Sequence, residues 1–214
     1  MDVAIELEQL SLELIEELKT RYVTNNTVTL HYKMPGVLIE AHSIVGGNFT
    51  GISFPATNGS ELNTSASLFL PGEVLFNGEG YVINILYQNT EILVNKSYQR
   101  VGNGYLNSPI LSSRVYPALN DTLPDDSPAV FTFPLLRGDD VAGSFPSCEF
   151  WDFKHYSQDG GWNASGCTTF MDVGGVIVCH CFHLTNFAVL MRLWDESEPY
   201  LIIAWKEPRQ CPKF

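Results

Sequence analysis

The sequence predicts a mainly β, antiparallel protein, a two-sheet sandwich or a barrel, preceded by one short amphipathic helix. Two changes of pattern and one bound on size carry that reading. Residues 3–18 carry apolar residues at three- and four-residue spacing among glutamates, whereas from about residue 28 short apolar runs are punctuated by Gly, Pro, Asn and Asp. With 214 residues, 45% of them hydrophobic, the chain can bury one sizeable core, and β folds of this length are commonly single domains.

The helix places Val3, Leu7, Leu10, Leu14 and Leu18 on one stripe, with Glu6, Glu8, Glu13 and Glu17 between them. An acidic polar face is repelled by anionic lipid, so the stripe is expected to dock on the rest of the fold. The predicted strands then follow as VTLHYKM, GVLIEAHSI, GISFPA, SLFLPGEVL, YVINILYQ, EILV, PILSSRVYPAL, AVFTFPLL, CEFWDFK, CTTFMDV, GVIVCHCFHL and TNFAVLM. No repeat or low-complexity tract interrupts them. Residues 195–214 lose the pattern and read as a tail.

A formal net charge of −12 leaves no basic footprint for a phosphate backbone, which argues against nucleic-acid binding. Asn-x-Ser/Thr acceptors stand at Asn25, Asn48, Asn58, Asn63, Asn95, Asn120 and Asn163, against about two expected by chance. That density points to a secreted or cell-surface chain bearing glycans. Met1 is followed by an acidic helix and not by a signal-like start, so the chain reads as an internal or processed segment. The apolar run from Tyr200 to Trp205 is too short to span a bilayer, and the chain as written is expected to be soluble.

Five cysteines suit an oxidising compartment: Cys148, Cys167, Cys179 and Cys181 cluster, and Cys211 stands apart. In a strand Cys179 and Cys181 share a face, so each can reach a partner on a neighbouring strand, and Trp151 and Trp162 can pack over the bridges. Cys179, His180, Cys181 and His183 as zinc ligands is the competing reading. Zinc sites use wider spacings, and oxidised thiols do not ligate, so no metal is expected.

The constellation Cys148-x-x-Trp151, Trp162, Gly166-Cys167, Cys179-x-Cys181, then His183-Leu184-Thr185 and a strand containing Phe187 resembles the proteolysis-site motif that ends the autoproteolysis-inducing GAIN domain. That domain occurs in adhesion G-protein-coupled receptors and in polycystin-1-like proteins. SLFLPGEVL (67–75) and LNSPILSSRVYPAL (106–119) resemble its β-sandwich, so the likeness covers about residues 28–191. The chain departs from the family at Phe182, where Asn is usual.

The resemblance implies an antiparallel two-sheet sandwich, GAIN subdomain B, and disulfides Cys148–Cys179 and Cys167–Cys181. It divides the chain into a helix at 1–27, the remnant of a helical subdomain, the sandwich at 28–147, the motif with its following strand at 148–191, and a tail at 192–214. It also implies chemistry. Thr185 Oγ attacks the carbonyl carbon of Leu184 with His183 as general base, an ester forms by N-to-O acyl shift, and water hydrolyses it. The process is single-turnover, without cofactor or external substrate. In the receptors resembled, the strand after the cut, here Thr185, Asn186, Phe187, Ala188, Val189, Leu190 and Met191, is a tethered agonist for a seven-transmembrane domain. Phe187, Val189 and Met191 fall on one face and Ala188 and Leu190 on the other, which suits a strand buried between layers and retained without a covalent link.

The rival function is a non-cleaving extracellular adhesion or spacer module of the same fold. Arg137-Gly138-Asp139 matches the integrin tripeptide, a match common by chance, and the pairs Asp125-Asp126 and Asp139-Asp140 read as solvated loop charges in preference to calcium ligands. No Ser-His-Asp or paired-carboxylate frame of an ordinary hydrolase stands out.

Overall fold

The structure, a computed structural model, describes residues 2–21, 28–45, 49–56, 66–75, 78–88, 100–101, 104–118, 122–136, 144–153, 160–172 and 175–193. Asn25, Asn48, Asn58, Asn63, Asn95 and Asn120, the run at 91–94, residues 137–140, Cys211 and the tail beyond residue 193 lie outside the described residues.

The helical pattern forms α1 (Asp2–Arg21), and the β pattern forms two antiparallel sheets. The larger sheet has the order β1 (Val28–Met34), β2 (Val37–Ile44), β5 (Gly80–Tyr87), β8 (Ile110–Tyr116), β14 (Asn186–Leu193), β10 (Ser144–Asp152), β11 (Gly161–Asn163). The short β7 (Gly104–Leu106) pairs with β14 and with β6 (Arg100–Val101). The smaller sheet has the order β12 (Cys167–Met171), β13 (Ile177–Cys181), β9 (Ala129–Phe133), β4 (Ser67–Pro71), β3 (Gly51–Phe54). A sandwich, not a barrel, results.

Strand alternation sorts the larger sheet's side chains between two cores. Leu38, Val82, Leu86, Leu111, Cys148, Phe187 and Val189 meet Phe54, Leu68, Leu70, Phe131, Phe133 and Ile177 of the smaller sheet. On the outer face Ile39, Ala41, Ile83, Ile85, Ala188 and Leu190 are covered by Leu14, Ile15 and Leu18 of α1. The layers are therefore helix, large sheet, small sheet. The docked stripe is wider than the leucine spacing alone suggests, because Ile15 and the fully buried Ser11 join it.

The predicted run at 67–75 is not one strand. It stops at Pro71 and turns into a 3-10 helix, Gly72–Val74, closed by the Leu75 amide donating to the Gly72 carbonyl at 3.2 Å. Glycine is required there by close approach: a Cβ on Gly72 would stand 2.4 Å from the Phe49 carbonyl oxygen.

Candidate functional site

β13 belongs to the small sheet and β14 to the large one, so residues 182–185 carry the chain across the sandwich. Cys179 and Cys181 share the inward face of β13. Cys179 is bonded to Cys148 on β10 of the opposite sheet, and Cys181 to Cys167, its register partner on β12. The first bridge ties the two sheets together just before the crossing; the second joins neighbouring strands of one sheet. Both pairings agree with the resemblance.

The crossing is held from three directions. The Phe182 amide donates to the Gly166 carbonyl at 3.0 Å, the Leu123 amide to the Phe182 carbonyl at 2.7 Å, and the Ser113 amide to the Thr185 carbonyl at 3.0 Å. The Thr185 amide, which is the nitrogen of the Leu184–Thr185 bond, has no hydrogen-bond partner among the described residues. Leu184 packs against the inner core.

His183 is seated between aromatic rings. Its imidazole meets Phe150 edge-on at 4.3 Å between centroids and Phe187 at 5.3 Å. Gly166, at φ 72°, makes room: a Cβ there would lie 3.1 Å from His183 Nδ1. Burial pushes the imidazole below the usual histidine range, only partly opposed by the charge of Asp152. Nε2 is buried and has no hydrogen-bond partner among the described residues, and no hydrogen bond joins the ring to the Thr185 hydroxyl.

A lowered folded-state value means that the unfolded chain takes up this proton first as pH falls. The stability due to the unprotonated, half-buried His183 is complete above pH 6.5, the ordinary histidine value, and is lost as pH falls from there through the lower folded-state value. His183→Gln is thus expected to flatten the acid limb of a thermal-midpoint profile below pH 6.5. An unchanged limb would show that the imidazole is not held neutral.

The strand that follows is interior in every direction. β14 pairs with β8 and β7 on one side and β10 on the other, and Phe187 to Met191 are each at most 1% exposed. Phe187 packs on Phe131 at 4.2 Å. The Val189 amide donates to Ser108 Oγ at 2.8 Å and the Asn107 amide to the Val189 carbonyl at 2.9 Å. Arg192 Nε donates to the fully buried Glu149 at 2.6 Å, and its Nη2 reaches the second carboxylate oxygen. The strand runs to Leu193, two residues into the predicted tail.

The tryptophans correct one expectation. Trp151 and Trp162 stack edge-to-face at 5.5 Å, but in the outer core, the cluster to which the α1 leucines belong, with no share in the disulfide core. Trp151 is an odd number of residues from Cys148 on β10, so the pleat sends it to the other face. Asn163 sits on β11, its Oδ1 accepting from the Ser165 amide at 2.9 Å and its Nδ2 reaching Asp152 at 3.4 Å. Among the described residues no three His, Cys, Asp or Glu groups gather as metal ligands, and no helix is long and apolar enough to cross a membrane. Ser113, Ser108 and the Glu149–Arg192 pair escape sequence reasoning. Their one signal was a polar residue in an otherwise apolar alternation.

Known proteins resemble this chain in sequence and in fold. The chain is 30% identical over 105 residues to human adhesion G-protein coupled receptor F1, covering 49% of this chain and 10% of the receptor. It is 32% identical over 133 residues to human adhesion G-protein coupled receptor G4, covering 60% and 4%, and 33% identical over 116 residues to latrophilin Cirl of Drosophila persimilis, covering 52% and 6%. The chain thus spans a tenth or less of the length of these relatives. The full extracellular region of zebrafish Gpr126/Adgrg6 shares the fold, with a TM-score of 0.54 at 23% identity over 76% of this chain and 23% of that one. Residues 31–195 match the family model described as GPS, GAIN subdomain B, and the chain belongs to that family.

Proposed function

We propose that this domain cuts its own chain between Leu184 and Thr185 and keeps the new N-terminal strand as a cryptic agonist for a linked seven-transmembrane domain on the outer cell surface. The observation that carries the reading is the junction itself: a turn anchored from three sides, a half-buried imidazole within it seated between aromatic rings, and a strand beginning one residue later whose residues 187–191 are interior.

The Thr185 Oγ–H bond gives its proton to His183 while Oγ bonds to the Leu184 carbonyl carbon. The C–N bond then breaks, and the proton passes to the Thr185 nitrogen, leaving an amine and a Leu184 ester. Water hydrolyses the ester. Nucleophile and scissile bond are adjacent, so the acceleration comes from fixed geometry. Nothing in this scheme calls for a cofactor; the partners are the retained strand, the membrane domain and an extracellular protein ligand. Glycans are proposed at the seven acceptor sites.

The missing hydrogen bond between His183 and the Thr185 hydroxyl favours the second reading, a non-cleaving adhesion or spacer module. Catalytic hydrogen bonds are often long before reaction, so that gap alone does not decide between the two. Thr185→Ala does. Denaturing, reducing electrophoresis of the secreted, deglycosylated chain is expected to give two bands for the wild type and one for the variant. Two bands in both would remove Thr185 as nucleophile; one band in both would leave the spacer reading.

A further inference from the structure

A row of polar side chains crosses the inner face of the large sheet, where packing calls only for apolar ones. His31 on β1 is in register with Glu40 on β2, Glu40 with Asn84 on β5, and Asn84 with Ser113 on β8. The row ends at Thr185, whose carbonyl accepts the Ser113 amide at 3.0 Å. Val82 and Leu86 flank Asn84 two residues either way, and Leu111 and Val115 flank Ser113; all four belong to the inner core. Alternation therefore puts Asn84 and Ser113 on that same face.

Asn84 and Ser113 are completely buried and Glu40 is 1% exposed. Ser113 Oγ donates to Asn84 Oδ1 at 2.8 Å. Both Glu40 carboxylate oxygens accept from the Ala56 amide, just past β3 of the opposite sheet, at 3.1 Å. Asn84 Nδ2 has no hydrogen-bond partner among the described residues. An orphaned buried donor costs about 1–3 kcal/mol, and a leucine or valine in its place would fill the same space without that cost. Stability does not explain the row, and local rules broken at a cost are characteristic of functional sites.

We propose that Asn84 and Ser113 are positioning residues for cleavage of the Leu184–Thr185 bond, an inference that rests on the reading above. Thr185 is tied to β8 through its carbonyl alone, so the placement of the nucleophile depends on where the Ser113 backbone sits. The Ser113–Asn84 hydrogen bond pins that point to β5.

The test compares Ser113→Val with Ser113→Thr, two side chains of nearly equal shape that differ in the hydroxyl. Pulse-chase of the secreted chain, resolved under denaturing and reducing conditions, reads the cleavage half-time, and thermal midpoints report the fold. Ser113→Val, which leaves Asn84 Oδ1 without its donor, is expected to slow cleavage at least about tenfold with a lowered midpoint, while Ser113→Thr stays within about threefold of wild type. The apolar pair Asn84→Leu with Ser113→Ala, which removes both partners, is expected to slow cleavage as much with an unchanged or higher midpoint. A folded Ser113→Val or apolar-pair chain cleaving at the wild-type rate overturns the positioning role alone, as does a Ser113→Thr chain as slow as Ser113→Val. An uncut wild-type chain overturns the cleavage reading and this inference with it.

Discussion

Replacing Cys148 and Cys179 together by alanine is expected to destabilise the domain by about 2–5 kcal/mol and to abolish or severely slow the cut. This bridge closes 31 residues of sequence and joins the two sheets beside the crossing at 182–185. Cys167–Cys181 closes only 14, between strands already laddered by backbone hydrogen bonds. A shorter closed loop restricts the unfolded chain less, and β12 stays paired with β13 without it, so Cys167→Ala with Cys181→Ala should cost less. Denaturant midpoints of the two double variants give the ranking. A reversed order would mean that the small sheet, and not the tie between sheets, holds the crossing.

Phe187→Ala is expected to cost about 3–5 kcal/mol, the range for emptying a fully buried aromatic site. The ring has no solvent exposure, packs on Phe131 at 4.2 Å and lies against His183. In an already cut molecule no peptide bond holds the strand, so that energy appears as weaker retention. A loss of this size corresponds to roughly two to four powers of ten in the strand's dissociation constant. Release of the C-terminal piece, followed by size exclusion under non-denaturing conditions, measures it. Retention equal to wild type would show that the β8 and β10 ladders, not the inner core, hold β14.

Much of this arrangement was legible in the sequence because its causes are local. Period-two runs such as VTLHYKM became strands in place, and apolar residues on both faces of 187–191 foretold a strand covered twice. The cysteine, tryptophan and His183-Leu184-Thr185 frame marked the crossing. What stayed hidden depends on contacts distant in sequence. Nothing near Ser113 says that its amide meets Thr185, because that register follows from the order β5, β8, β14. The pairing of Glu149 with Arg192 likewise needs β10 beside β14. Trp151 was placed with the disulfides by proximity in sequence, and the pleat of β10 carried it to the opposite face.

The central claim is that the chain breaks at one bond and stays together. The most direct measurement is the mass of the deglycosylated protein, taken once under native conditions and once after denaturation and reduction. The expected result is a single species of full mass plus one water when native, resolving on denaturation into pieces ending at Leu184 and beginning at Thr185. One unbroken chain under both conditions, or pieces meeting at any other bond, would contradict it.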